Sequence, residues 1–146
     1  MPKQYSVNRG LETYRIQPDD IYSGMAMIDA VPCVPMEIFR NEKFILLKPE
    51  NDMYRRARSV FEKNNMDPKV VFSVDQLNIA YALSSSGNGL TFVTDTFFKY
   101  GRFRDDVYLY RPDLDCSRKL CIAHRRNKYC TRAMAEFIKI AEEVVK

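Results

Sequence analysis

Short apolar runs alternate with stretches of helical periodicity in the middle of the chain. A continuous run of four to six apolar residues is typical of a strand that is buried on both faces. Between the runs, apolar residues recur every three or four positions, as they do on one side of a helix. The runs are Lys43–Pro49, Lys69–Val74 and Leu90–Val93, and the helical stretches start after Asn51 and at Gln76. This order predicts right-handed βαβ units and an α/β fold with a largely parallel sheet.

The flanking parts of the chain are less regular. The first ten residues are polar and predict a frayed end. Leu11–Met27 is interpreted as a strand, a turn and a second strand, and Pro32 and Pro35 exclude regular structure from the connection that follows. Further elements predicted downstream are a short helix through Phe98, strands at Asp106–Pro112 and Lys119–Arg125, and a last helix capped by Thr131.

The predicted carboxyl ends of the strands indicate where a ligand would bind. In parallel sheets ligands bind beyond these ends, where helix N-termini also point. Asn51 or Asp52 is expected to cap the first helix and Asp75 the second. Glu50, Asp75 and Asp95 could act as catalytic carboxylates, but a capping or solvated role is favoured for each. The ranges at the strand ends are Lys48–Asp52, Ser73–Gln76 and Thr94–Asp95.

Composition adds only broad limits. The chain has 146 residues, 46% of them hydrophobic and 29% charged, with a net charge of +4. These values predict one globular domain and permit an acidic ligand without requiring one. The sequence contains neither an apolar run long enough to cross a bilayer nor a signal peptide, so we expect a cytoplasmic protein with reduced thiols and no membrane partner.

Three cysteines and the single histidine fall close together, at a spacing near that of small zinc modules. If Lys119–Arg125 is a strand, Cys121 and His124 point to opposite faces, which favours structural thiols over a redox or metal site. No metal and no cofactor is predicted. The same stretch holds six Lys or Arg residues, interpreted as a solvated turn rather than a nucleic-acid arm. The cysteines and histidine are Cys116, Cys121, His124 and Cys130.

Glycines at Gly87 and Gly89 could be mistaken for a phosphate-binding loop. They follow a predicted helix and precede a predicted strand, which is the reverse of the phosphate-binding order. A helix C-cap is the favoured interpretation.

In order and spacing, the elements from Phe44 to Val93 resemble the effector-binding domain of LysR-type transcriptional regulators. That family has a buried strand like Phe44–Leu47, a helix and a second strand, then an Ala- and Leu-rich helix. A Gly-x-Gly turn follows and leads into an apolar strand. The late strand, basic turn and capped helix from Leu120 onward also look like the family's C-terminal part. The matching segments are Phe44–Leu47, Val70–Val74, Leu77–Leu83 and Gly87–Val93.

The resemblance implies a non-enzymatic sensor with a fold like type 2 periplasmic binding proteins, consisting mainly of subdomain II with parts of subdomain I. It divides the chain into a tail and crossover (1–28), subdomain II (29–112), and a return strand with the C-terminal helix of subdomain I (113–146). It implies a homodimer or tetramer that contacts DNA only through a head absent from these residues. A small-molecule effector, anionic because of Lys48 and the helix N-termini, would contact Lys48, Pro49, Glu50, Asn51, Ser73, Asp75, Gln76 and Thr94.

Two other classes of function remain open from the residues alone. One is a small α/β ligand-binding protein or enzyme that uses the same strand-end cleft. The other is a basic nucleic-acid-binding protein that relies on Arg118–Arg132. Salt-dependent DNA affinity would support the second of these.

Overall fold

The computed structural model describes residues 1–17, 20, 31–99, 101, 105–113, 121–124 and 129–144. The chain divides into two compact units, Met1–Asp115 and Cys116–Lys146. In the first unit the strands are β1 (Arg15–Ile16), β2 (Cys33–Val34), β3 (Lys43–Leu47), β4 (Lys69–Val74) and β5 (Leu109–Pro112), and the helices are α1 (Asp52–Lys63), α2 (Leu77–Ser85) and α3 (Asp95–Lys99). The second unit contains α4 (Arg132–Val144).

The centre of the first unit is the predicted βαβ arrangement. Strands β3 and β4 pair in parallel, and Leu90 bridges Phe44, also in parallel. Because side chains alternate along a strand, Phe44 and Leu46 pack with α1, while Ile45 and Leu47 pack with α2. The predicted α/β class is therefore confirmed. The predicted strand at Leu90–Val93 is reduced to the single bridge at Leu90.

The faces of both helices follow the apolar spacing of the sequence. On α1, Ala57, Val60 and Phe61 are buried, and the Phe61 ring contacts Phe44 edge-on with centroids 4.8 Å apart. On α2, the buried residues include Ala80, Tyr81 and Ser84, which share one face at helical spacing. Burial of these stripes positions both helix N-termini at one edge of the sheet.

A second sheet, with the order β1-β5-β2, corrects the interpretation of the prolines. Cys33–Val34 pairs in parallel with Arg111–Pro112, although Pro32 and Pro35 predicted a connection without regular structure. The two prolines flank this strand and leave the residues between them free to pair. A 3-10 helix, Met36–Phe39, follows directly. The predicted strand–turn–strand at Leu11–Met27 is also largely wrong in its described part, where a 3-10 helix precedes the two-residue β1.

The prediction of a frayed N-terminal end is wrong. Met1 and Leu11 belong to the main hydrophobic core, and Pro2 bridges Val107. The buried Asn8 side chain donates to the carbonyls of Pro2 (2.8 Å) and Lys3 and accepts from the Tyr110 hydroxyl (2.7 Å). A polar segment is stable here because its buried polar groups are hydrogen-bonded.

The second unit is described by its C-terminal helix and a short preceding stretch. Thr131 caps α4, since its Oγ1 accepts the amide of Met134 at 3.2 Å, as predicted. Residues 121–124, the described part of the predicted strand Lys119–Arg125, are not in a strand and are exposed. Cys121 and His124 are therefore not held on opposite faces of a strand.

Candidate functional site

The carboxyl ends of β3 and β4 meet at one edge of the parallel sheet. Lys48 follows β3, and its amide donates to the carbonyl of Val74 at 3.0 Å, which extends the pairing one residue past the strand. Asp75 follows β4, and its Oδ1 lies 2.8 Å from Lys48 Nζ. Parallel register thus places two opposite charges together at the edge that the sequence indicated.

The ion pair remains accessible to solvent. The Lys48 side chain is 51% exposed and that of Asp75 is 71% exposed. The hydrogen bond from Lys48 to Asp75, together with the negative charge of Asp75 and the weaker effect of Glu50, raises the pKa of Lys48. Lys48 therefore keeps its positive charge at this edge, where a ligand can reach it.

The expectation that Asp75 caps the second helix is wrong. Helix α2 begins after Gln76, which is its N-cap residue and makes no side-chain cap bond. The Asp75 carboxylate instead pairs with Lys48. The ion pair with Lys48 satisfies the carboxylate, so Asp75 does not need to bond the free amides at the start of α2.

Asn51 performs the capping role expected of it at α1. Its Oδ1 accepts the Met53 amide at 2.9 Å, and its own amide donates to the Lys48 carbonyl at 2.9 Å. This tight turn links the position of Lys48 to the start of the helix. Pro49 and Glu50 are exposed in the same turn.

Asp52, in the first turn of α1, is held by arginines of its own helix. Its carboxylate is 2.6 Å from Arg56 Nε and 3.5 Å from Arg55. The hydrogen bond from Arg56 lowers the pKa of Asp52 below its usual value. Asp52 is thus occupied by arginines of its own helix. The other charged residues of this edge, Lys48, Asp75 and Glu50, face solvent.

In the described part of the chain, the structure gives no hydrogen bond or ion pair between Lys48 and the side chains of the remaining predicted site residues. Ser73 and Gln76 are exposed beside Asp75. Thr94 is half-buried, shares a hydrogen bond of 3.0 Å with the Thr96 hydroxyl and accepts the Phe97 amide at 3.3 Å. Thr94 therefore caps the short helix α3, and none of its described contacts is to Lys48.

Sequence reasoning identified Lys48 and Asp75 separately but missed their pairing. The signal was present, because each is the first charged residue after one of two strands predicted to be parallel neighbours. Only the register decides that the two side chains meet, and the bulge between Phe44 and Ile45 shifts that register by one residue.

Metal and thiol chemistry has little support in the described part of the chain. Those residues contain no group of three or more His, Cys, Asp or Glu side chains that could hold a metal ion. Cys121, His124 and Cys130 are exposed, and Cys116 lies outside the described residues. Cys33 is half-buried, with its Sγ 3.0 Å from Arg111 Nε.

Membrane insertion also finds no support in the helices described. None of them combines the length and the apolar composition that a bilayer crossing requires.

Comparison with known proteins gives the family. Residues 29–146 match the LysR substrate binding domain. The chain is also 26% identical over 116 residues to the uncharacterized HTH-type transcriptional regulator YcgK of Bacillus subtilis. That match covers 79% of this chain and 35% of YcgK, so the chain spans about a third of this relative's length. The resemblance drawn from the strand and helix order is confirmed: the chain belongs to the LysR substrate-binding domain family and is the effector-sensing domain of a LysR-type regulator.

Proposed function

We propose that the effector of this regulator binds at the carboxyl edge of β3 and β4. The contacting residues would be Lys48, Pro49, Glu50, Asn51, Ser73, Asp75, Gln76 and Thr94. The observation that carries the proposal is the position of Lys48. It directly follows β3, its side chain is exposed, and its carbonyl is bonded in the turn that Asn51 closes.

The effector carries an anionic group in this proposal. Lys48 supplies a positive charge, and the first turn of the twelve-residue α1 supplies partly free amides. Asn51 occupies two of these amides, that of Met53 through its side chain and that of Tyr54 through its carbonyl. The negative charges of Glu50 and Asp75 lie at the same edge and limit how strongly the site favours an anionic group.

The wider architecture is proposed on the same family basis. The domain has a fold like type 2 periplasmic binding proteins, with 29–112 as subdomain II and with 1–28 and 113–146 belonging to the crossover and subdomain I. The division of the chain into units after Asp115 supports the boundary near 113. In α4, large apolar side chains, among them Phe137 and Ile140, are exposed to solvent.

The whole regulator acts without catalysis in this proposal. It is a cytoplasmic homodimer or tetramer that contacts DNA through a head outside these residues. The HTH-type relative supports the DNA-binding role, since this chain corresponds to only part of its length. Effector binding would shift the balance between conformations and so alter how the DNA-binding heads are presented.

Titration of the 146-residue chain with acetate, followed by amide resonances in NMR, tests the site. Acetate should shift the amides of 48–53 and 73–76, and Lys48→Met should abolish these shifts. Lys63→Met is the matched control, since Lys63 is an exposed lysine at the opposite end of α1. Shifts that persist unchanged in Lys48→Met, or that map away from this edge, would overturn the proposal.

A further inference from the structure

The Lys48–Asp75 pair has a consequence for the kind of effector that fits the proposed site. Lys48 already has a carboxylate partner, with Nζ and Oδ1 2.8 Å apart. An anionic ligand that binds Lys48 must separate this pair and leaves Asp75 beside a second negative charge. A cationic ligand that binds Asp75 must also separate the pair, and it leaves Lys48 beside a second positive charge. Each singly charged ligand therefore forms one ion pair at the expense of another.

A ligand with both charges avoids this exchange. Its carboxylate pairs with Lys48 while its ammonium group pairs with Asp75, so no charge of the protein loses its partner. The pair is solvent-exposed on both sides, at 51% and 71%, and exposed ion pairs are weak enough to be opened. Glu50 adds a second negative charge that acts on Lys48, which further weakens binding of a ligand that is only anionic.

We propose that the strand-end edge takes a small zwitterion of the amino-acid type, with its carboxylate on Lys48 and its ammonium group on Asp75. This inference rests on the effector site proposed above and names the ligand class for it. Asp75 is then the residue that determines specificity, because its charge disfavours simple anions and attracts the ammonium group.

Three small probes test the ligand class: glycine, acetate and methylamine, the last two each carrying one of the two charges of glycine. Amide shifts of the 146-residue chain give the dissociation constants. Glycine should bind with a dissociation constant roughly two- to fivefold lower than acetate or methylamine, since one extra exposed ion pair is worth up to about a factor of five.

Two neutral variants should change the single-charge probes in opposite directions. Asp75→Asn should strengthen acetate binding by up to about fivefold, because the repulsion between two negative charges about 4 Å apart in water corresponds to this factor. The same variant should abolish methylamine binding, because it removes the carboxylate that pairs with the ammonium group. Lys48→Met should abolish acetate binding and retain that of methylamine. Glu50→Gln is the control, and it should strengthen acetate binding less than Asp75→Asn does, because Glu50 is not hydrogen-bonded to Lys48 in the structure.

A double inversion, Lys48→Asp with Asp75→Lys, keeps a pair of opposite charges and should keep the preference for glycine. The outcomes separate the two proposals. If acetate binds the wild-type edge as tightly as glycine, or if Asp75→Asn leaves the acetate constant unchanged, the zwitterion class is wrong and the site stands. If none of the probes shifts the amides of 48–53 and 73–76, both proposals fail.

Discussion

At the scale of single residues, the α-amino group of Met1 in the 146-residue chain has a strongly lowered pKa. Met1 is 8% exposed within the main core, and its amine donates to the carbonyl of Tyr108 at 2.9 Å. Burial lowers the pKa of this amine from 8.0 to about 5. The neutral form is therefore the one that the fold accommodates.

This burial predicts a pH dependence of stability in the 146-residue chain. As pH falls from 8 to 5, the unfolded amine takes up a proton before the folded one does. The free energy of unfolding should therefore fall, by up to about 1.4 kcal/mol per pH unit, and level off below pH 5 as far as this group is concerned. Urea unfolding across this range measures the slope.

Nα-acetylation provides the control, because the acetylated nitrogen still donates a hydrogen bond but cannot be protonated. The acetylated chain should lose less stability between pH 8 and pH 5 than the free chain. Identical slopes for the two chains would show that the Met1 amine does not titrate differently on folding.

At the scale of secondary-structure elements, Gly89 allows the chain to pass from α2 back to the sheet. The next residue, Leu90, exchanges backbone hydrogen bonds with β3, to Lys43 O and from Ile45 N, both of 2.8 Å. A Cβ at Gly89 would lie 2.9 Å from Lys43 O and 3.2 Å from Ile45 Cγ1. The close approach of two backbones is what requires glycine here.

Gly89→Ala should therefore destabilise the first unit by about 1–3 kcal/mol, because Leu90 must move away from β3. The Leu90 amide should also exchange faster with solvent. Gly10→Ala is a useful comparison, since Gly10 has φ +85 but nothing within 4 Å of the added Cβ. It reports backbone strain alone, and a loss of stability at Gly89 no larger than at Gly10 would contradict the steric argument.

At the scale of the whole molecule, two helices of nearly equal length have very different surroundings. Helix α1 has twelve residues and buries Ala57, Val60 and Phe61. Helix α4 has thirteen, and each of its side chains described, from 132 to 143, is exposed or half-buried. Isolated helices of about 12–15 residues are marginal in water, so packing decides their stability.

Amide hydrogen exchange should separate the two helices. Amides of α4 should exchange at least about tenfold faster than those of α1, because α4 can open without unfolding a core. Peptide-level mass spectrometry measures both helices in one sample, and α1 serves as the internal reference. Equal protection would mean that the apolar face of α4 is covered in solution, for example by a second copy of the chain.

The sequence by itself determined the elements with strong local signals. The four apolar residues Phe44–Leu47 are typical of a buried strand, and the spacing of Ala57, Val60 and Phe61 places them on one face of α1. Asn51 and Thr131 are caps because a short polar side chain before an apolar stripe can satisfy free amides locally. The order of these elements carried the resemblance to the family, which the match over residues 29–146 confirms.

Only the tertiary structure decided the features that depend on distant partners. The first ten residues have no local signal for order, but Asn8 and Tyr110 bond across more than a hundred positions. Cys33–Val34 becomes a strand because β5 lies beside it. Asp75 pairs with Lys48 instead of capping α2 because parallel register brings two strand ends together. Local propensity cannot encode such pairings, since their free energy is gained only when both partners are in place.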